Sequence, residues 1–155
     1  MKPLVVFYTR YGHNITIAEA IARELGAELR RIQTAKQHPF MVMGACSSMN
    51  IPMRIMPMDL DVSAFDPIVL CAPIWAWKPA PPAREFLKRA NLEGKRLAVC
   101  LSTGGGSSAR AQAFVGKLAA GRGAQVLAFG EIQTQSEVRD SLVRDARSFA
   151  GRLKP

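Results

Sequence analysis

The chain lacks the long apolar run and the leader that would mark a membrane or secreted protein. None of its apolar stretches approaches the length of a bilayer span, so we predict no transmembrane helix and no membrane association. The amino-terminal segment MKPLVVFYTR has no small-residue cleavage site, and we expect a cytoplasmic protein. With 155 residues, 48% of them hydrophobic, the composition predicts a single globular domain over residues 1–155.

Cysteine is scarce and lacks the spacing of a redox or metal motif. Cys46, Cys71 and Cys100 form no CxxC pair, and Cys71 and Cys100 fall within apolar runs. We therefore predict free thiols, as in a reducing compartment, and no metal site.

Acidic and aromatic residues are both in the minority. The chain has 12 Asp and Glu residues against 21 Lys and Arg residues, which gives a net charge of +9. Such a charge attracts acidic partners. Aromatic residues make up only 7% and do not alternate with the basic ones, as a stacking surface for nucleic acid requires. We expect no nucleic-acid partner.

Strands and helices alternate along the chain. Continuous apolar runs predict buried strands at 3–8, 66–72, 96–101 and 124–129, with a weaker strand at 28–32. Helical patterns run from the first loop to Gly26, from Pro81, over 109–120, and after a capping box of Thr134 and Glu137. Prolines limit the Met-rich segment 37–60 to one short helix near 40–48. This alternation predicts a three-layer α/β/α sandwich with a five-stranded parallel sheet.

Three unusual loops follow the first, third and fourth predicted strands, at residues 9–14, 73–78 and 102–108. Such sheets bind ligands beyond the carboxyl ends of their strands, where these loops meet. The first loop opens a helix, whose N-terminus favours anions. It matches neither GxxxxGK[ST] nor GxGxxG, which disfavours nucleotide hydrolysis and a Rossmann dehydrogenase. An ordinary turn capped by Asn14 stays open as the alternative.

The ordered set of three loops resembles the flavodoxin family. TRYGHN followed by IAEAIA is similar to the family's phosphate loop, APIWAWKPAPPAREFL to its second flavin loop, and LSTGGGSS to its third. The resemblance covers essentially the whole chain. It implies the strand order 2-1-3-4-5 and a noncovalent FMN cofactor.

Carried over by position, the resemblance implies fifteen cofactor-binding residues. The phosphate would be surrounded by Thr9, Arg10, Tyr11, Gly12, His13 and Asn14. The ring would be lined by Pro73, Ile74, Trp75, Ala76, Trp77, Ser102, Thr103, Gly104 and Gly105. Tyr11 and Asn14 stand where the family has threonine, so a phenol and an amide replace two hydroxyls.

The second loop carries two further expectations. Because strand residues alternate, Trp75 and Trp77 are predicted to share a side, with at least one of them on the flavin. Many flavodoxins have a glycine where this chain has Ala76, and an alanine is expected to resist positive φ. We therefore expect one-electron reduction of the flavin to be less favoured here.

Three functions are compatible with these features. The favoured one is an FMN-binding electron-transfer protein without a catalytic acid, base or nucleophile, docking on a redox partner with an acidic face. The second is a small FMN-dependent NAD(P)H:quinone-type reductase, and the third a cofactor-free binding module. A homodimer is a further open alternative. The Met-rich segment is either a packed helix, a lid or partner surface, or a soft metal site at His38, Met41 and Met43.

Overall fold

The computed structural model describes residues 1–135 and 138–155, in which strands and helices alternate. The strands are β1 (Lys2–Phe7), β2 (Glu28–Arg31), β3 (Phe65–Trp75), β4 (Lys78–Pro79), β5 (Arg96–Thr103) and β6 (Gln125–Gln133). The helices are α1 (His13–Leu25), α2 (Phe40–Ser48), α3 (Pro81–Arg89), α4 (Ala109–Gly121) and α5 (Arg139–Gly151).

Five strands form one parallel sheet in the order β2-β1-β3-β5-β6. Numbered without the short strand β4, this order is 2-1-3-4-5, which confirms the predicted order. The predicted sheet was incomplete in one respect. A sixth strand of two residues, β4, pairs antiparallel with the end of β3. Its two residues were too few for a strand pattern to be visible in the sequence.

The central strands are apolar on both sides because helices cover both faces of the sheet. On one face, Val5 and Phe7 of β1 pack with residues of α1 and α5. On the other, Leu4 and Val6 pack with residues of α2, α3 and α4. Phe86 is fully buried on this second face. These two cores confirm the three-layer sandwich.

Three strands run past their predicted ends, namely β5 to Thr103, β6 to Gln133 and β3 to Trp75. Ser102 and Thr103 are therefore strand residues, where a loop was expected. Strand β3 continues to Trp75, because its end is held by pairing with β4. Pro73, Ile74 and Trp75 are therefore strand residues, where a loop was expected. The capping box that was predicted to start the last helix includes Glu137, which lies outside the described residues.

The Met-rich segment contains the short helix that its prolines predicted, α2. Met43 and Met53 are buried in the core on that face, whereas Met41 and Met49 are exposed. The segment is thus partly core and partly surface. Met43 contacts the Arg10 guanidinium through its sulfur, which is an unfavourable position for a metal cation.

The three cysteines are free, as predicted. Cys71 and Cys100 lie opposite each other in the β3–β5 ladder and are fully buried. A hydrogen bond with Cys100, together with burial, raises the pKa of the Cys71 thiol. None of the helices formed by residues 1–135 and 138–155 combines the length and apolar character of a membrane span.

Candidate functional site

A cleft of about 320 Å³ opens at the edge of the sheet where β1, β3 and β5 end. All three predicted loops contribute to it. Eleven of the fifteen predicted site residues line it: Thr9, Arg10, Tyr11, His13, Asn14, Pro73, Ile74, Trp75, Ala76, Ser102 and Gly104. The other four, Gly12, Trp77, Thr103 and Gly105, do not.

The first loop is closed by its own residues. Gly12 takes a left-handed conformation, with φ of 93°, and its N–H donates to the hydroxyl of Thr9 at 3.0 Å. Gly12 is also the N-cap of α1, so the alternative of a turn capped by Asn14 is wrong. No side chain caps this helix, and its first N–H groups therefore favour an anion.

Asn14 connects the first loop to the third. Its side chain is buried, and its Nδ2 donates to the Ser102 hydroxyl at 2.7 Å. Its Oδ1 is buried without a hydrogen-bond partner in the described chain. A buried carbonyl oxygen of this kind is an acceptor available to a hydroxyl or amide of a ligand.

Arg10 ties the first loop to the start of α2. Its Nη1 donates to the His38 carbonyl at 2.8 Å and contacts the Met43 sulfur, and its guanidinium lies 5.3 Å from the centroid of the Tyr11 ring. The Nε of Arg10 is buried without a partner among the described residues. The guanidinium was predicted to contact the phosphate, and that contact stays a prediction.

Tyr8 forms part of the support under the cleft. Its ring meets that of Trp75 edge to face, with the centroids 5.6 Å apart. Burial raises the pKa of the Tyr8 phenol, against the opposing effects of Arg10 and Arg31. Tyr8 is therefore neutral at physiological pH and acts as a packing residue.

The two tryptophans diverge, which contradicts the prediction that they share a side. Trp75 ends β3, lines the cleft and is only 8% exposed. Trp77 is 63% exposed and lies outside the cleft, with the Arg110 guanidinium 5.6 Å from its ring. The alternation of a strand fails here because a turn begins after Trp75.

That turn places non-glycine residues in the left-handed region. Trp75 pairs with Lys78, so Ala76 and Trp77 form a two-residue hairpin loop, with φ of 49° and 62°. Positive φ at both positions is the requirement of a type I′ turn, one of the two common two-residue loops. Ala76 therefore adopts positive φ despite the expected resistance, because the hairpin imposes it at a cost of about 1–2 kcal/mol per residue. The expectation about one-electron reduction stays a prediction.

Tertiary contacts support the same turn. The hydroxyl of Ser47, a buried residue of α2, donates to the Trp75 carbonyl at 2.6 Å. The N–H of Ala80 donates to the Pro73 carbonyl at 2.9 Å. These bonds fix both ends of the hairpin against the strain within it.

The third loop is held partly by its own threonine and partly by β6. The Thr103 hydroxyl donates to the Gly105 carbonyl at 2.8 Å, which explains why this side chain does not line the cleft. A Glu131 carboxylate oxygen accepts the N–H of Ser108 at 2.8 Å, at the start of α4. Hydrogen bonds from Ser108 lower the pKa of Glu131, so it is a carboxylate at neutral pH.

Sequence reasoning missed three lining residues, Phe40, Gly44 and Thr134. Thr134 directly follows β6, but the predicted strand ended at residue 129, so its place at a strand's carboxyl end was not visible in the sequence. Phe40 and Gly44 belong to α2 and carry no recognisable motif. Among the cleft-lining residues that the structure describes there is no Asp or Glu, which suits an anionic ligand.

Comparison with known proteins identifies the fold. No protein-family model matches the chain. An uncharacterized protein of Archaeoglobus fulgidus is 30% identical over 99 residues. That stretch covers 64% of this chain and 64% of the relative, which is less than two thirds of its length.

Solved structures match over most of the chain. A flavoprotein of Lactobacillus acidophilus NCFM, described as a complex with FMN, has a TM-score of 0.75 and 17% identity, and the match covers 88% of this chain and 96% of that one. A flavodoxin from the domain Archaea has a TM-score of 0.62 and 17% identity, with both chains fully covered. At these identities the similarity establishes the three-dimensional fold.

Proposed function

We propose that this chain, which has the flavodoxin fold, binds FMN noncovalently in the cleft and acts in electron transfer. One observation carries the proposal. The cleft combines an uncapped helix N-terminus with an apolar wall formed by Ile74 and Trp75. An anionic group attached to a flat ring matches both halves of such a site. The Lactobacillus acidophilus neighbour, described with FMN, supports this choice of ligand.

The residues present fit the parts of FMN. The N-terminus of α1, together with Thr9, would hold the phosphate. The unpartnered Oδ1 of Asn14 would accept a hydrogen bond from a hydroxyl of the sugar-alcohol chain. Ile74 and Trp75 would contact the ring. The cleft volume of about 320 Å³ lies within the usual range of small-molecule sites.

The chain's own contribution is binding and orientation. Bound FMN would supply the redox chemistry, as cofactors generally do. The described lining residues include no carboxylate, and we assign no catalytic acid, base or nucleophile. The hydrogen bond between Asn14 and Ser102 keeps the first and third loops at a fixed separation, so that phosphate and ring sites stay in register.

Parallel titrations with FMN and riboflavin test the proposal, after an absorption spectrum of the freshly purified protein. We expect flavin bands in the spectrum and FMN binding about 100-fold tighter than riboflavin binding, since the phosphate adds several charge-assisted hydrogen bonds. A colourless protein that ignores millimolar FMN would contradict the proposal and favour the cofactor-free binding module.

The net charge supports a particular kind of partner. A chain with 21 basic and 12 acidic residues associates fastest with an acidic protein, and this encounter slows with added salt. We therefore propose a redox partner with an acidic docking face. Stopped-flow electron transfer should fall steeply with ionic strength, and a rate that is independent of salt would contradict an acidic partner.

A reductase is the second candidate, and the rim of the cleft favours it. Tyr11 and Phe40 line the cleft and are 65% and 61% exposed, which leaves aromatic surface for a flat substrate. FMN-loaded protein that oxidises NADH or NADPH with a quinone, without an added reductase, would indicate this activity. Loaded protein that accepts electrons only from a reductase protein would support the electron carrier.

A further inference from the structure

A second hollow, of about 220 Å³, lies beside the cleft. Its lining residues are Ser48, Ala76, Trp77, Lys78, Arg110 and Phe114. Ala76 lines the cleft as well, so the hairpin turn is a wall shared by the two sites. The hollow thus brings two aromatic rings and two cationic side chains together at a turn that holds Trp77 in the left-handed region.

The two cations have spare hydrogen-bonding capacity. In the described chain, the Arg110 guanidinium makes a ring contact with Trp77 and neither a hydrogen bond nor an ion pair. Lys78 Nζ donates to the Ser48 carbonyl at 3.1 Å and to Asn50 Oδ1 at 2.8 Å, which leaves one of its three N–H groups unused. Neither side chain forms a salt bridge with a carboxylate of the described residues.

A third positive charge lies behind the Phe114 ring. Arg84 is only 3% exposed, and its Nη1 shares the acceptor Asn50 Oδ1, at 2.9 Å, with Lys78. The Arg84 guanidinium and the Lys78 ammonium lie 5.6 and 5.8 Å from the centroid of the Phe114 ring. Arg84 also lacks an ion pair within the described part of the chain, so the potential at the hollow is positive.

We propose that this hollow binds a small aromatic carboxylate. The ring would pack between Trp77 and Phe114, and the carboxylate would accept hydrogen bonds from Arg110 and Lys78. The volume of about 220 Å³ exceeds the volume of about 150 Å³ at which an enclosed cavity holds benzene, so a single ring fits by size. The strain at Trp77 is in keeping with a binding role, since backbone strain collects at ligand sites. This inference goes beyond the proposed function and does not depend on FMN.

Benzoate is the probe, with benzamide and acetate as controls for charge and ring. Each would be titrated into the full-length ¹⁵N-labelled protein, with and without saturating FMN, while the two indole N–H signals are followed by NMR. We expect saturable shifts of the Trp77 indole with benzoate at a Kd of about 1 mM, as for other ligands of this size. Benzamide and acetate should bind at least about tenfold more weakly.

Two matched variants locate the carboxylate. Arg110→Gln should raise the Kd for benzoate about tenfold and leave that for benzamide unchanged. Arg147→Gln removes an exposed arginine from α5, away from the hollow, and should change neither. Because both positions are exposed, both variants should fold, and the NMR spectrum checks this.

Four results would overturn the inference. They are no saturable binding of benzoate, equal affinity for benzoate and benzamide, an unchanged Kd in Arg110→Gln, or shifts confined to the Trp75 signal, which would place benzoate in the cleft. If benzoate binds at Trp77 while FMN does not bind, the hollow stands and the proposed function fails. If FMN binds and benzoate does not, the proposed function stands and the inference about the hollow fails.

Discussion

The first loop and the 76–77 turn both use left-handed backbone, and they reach it by different means. In the first loop the position is occupied by Gly12, and the loop closes on the nearby Thr9. In the turn the positions are occupied by Ala76 and Trp77, and Ser47 of a distant helix holds the end of β3. The first loop is therefore satisfied locally, whereas the turn is imposed by its surroundings.

Adding a side chain to Gly12 should change the stability of the fold more than any of the substitutions discussed below. Gly12→Ala should destabilise the fold by about 2 kcal/mol, because φ of 93° is unfavourable for a residue with Cβ even where no atom is within reach. Urea unfolding measures the change. Gly116→Ala, inside α4 and equally free of neighbours, is the control and should stabilise by up to about 1 kcal/mol. If both substitutions changed the free energy of unfolding equally, the left-handed backbone at Gly12 would not be the cause of the destabilisation.

Removing the support of the turn should have the next largest effect. Ser47→Ala should cost about 1.5 kcal/mol, because it deletes a buried hydrogen bond of 2.6 Å to the Trp75 carbonyl. Thermal unfolding gives the difference, and Ser48→Ala is the matched control, since Ser48 is exposed and is used only through its backbone carbonyl. If both variants are as stable as the parent, the turn does not need the contact with α2.

A glycine in the turn should act in the opposite direction from an alanine in the first loop. Ala76→Gly should stabilise by about 0.5–1 kcal/mol, because relief of left-handed strain exceeds the added flexibility of the unfolded chain. Ala35→Gly, at an exposed position with ordinary φ, should instead destabilise by about 0.5–1 kcal/mol. A loss of stability in Ala76→Gly would show that the turn is unstrained.

The third loop is an intermediate case, and its support depends on pH. Hydrogen bonds from Ser108 hold the pKa of Glu131 below its ordinary value of 4.5. A lowered pKa in the folded state adds stability above the ordinary value, and this is lost as the pH falls through the lowered one. Glu131→Gln should therefore cost about 0.5 kcal/mol at pH 7, the usual value for a charge at a helix N-terminus, and nothing in strong acid. Unfolding curves from pH 2 to 7 check this, and a cost that persists in acid would contradict it.

The sheet was predictable because its signals are local. The apolar runs of β1, β3 and β5 predicted buried parallel strands, and Gly26 marked the end of α1. The short helix α2 followed from the positions of the prolines around it. Each of these features depends on residues adjacent in the chain, and each is present in the structure.

The location of the site was predictable, whereas the identity of its lining residues was predictable only in part. The rule that parallel strands end at one edge located the three loops, and the resemblance to flavodoxins named the residues, eleven of which line the cleft. Phe40 and Gly44 were missed because the packing of α2 against the sheet has no sequence motif. Gly12 and Thr103 were assigned to the ligand, but their backbone and hydroxyl groups hold their own loops.

The sequence by itself determined the alternation of strands and helices and the edge of the sheet at which the cleft lies, and the resemblance of its loops to those of flavodoxins implied the strand order. The spacing of apolar residues and the residues that end helices act over a few positions, so they are visible in the sequence itself. Tertiary structure alone decided the left-handed conformation of Ala76 and Trp77, the divergence of the two tryptophans, and the second hollow. These features depend on hydrogen bonds and packing between segments about 30 residues apart, such as Ser47 with Trp75, and local propensity does not encode them.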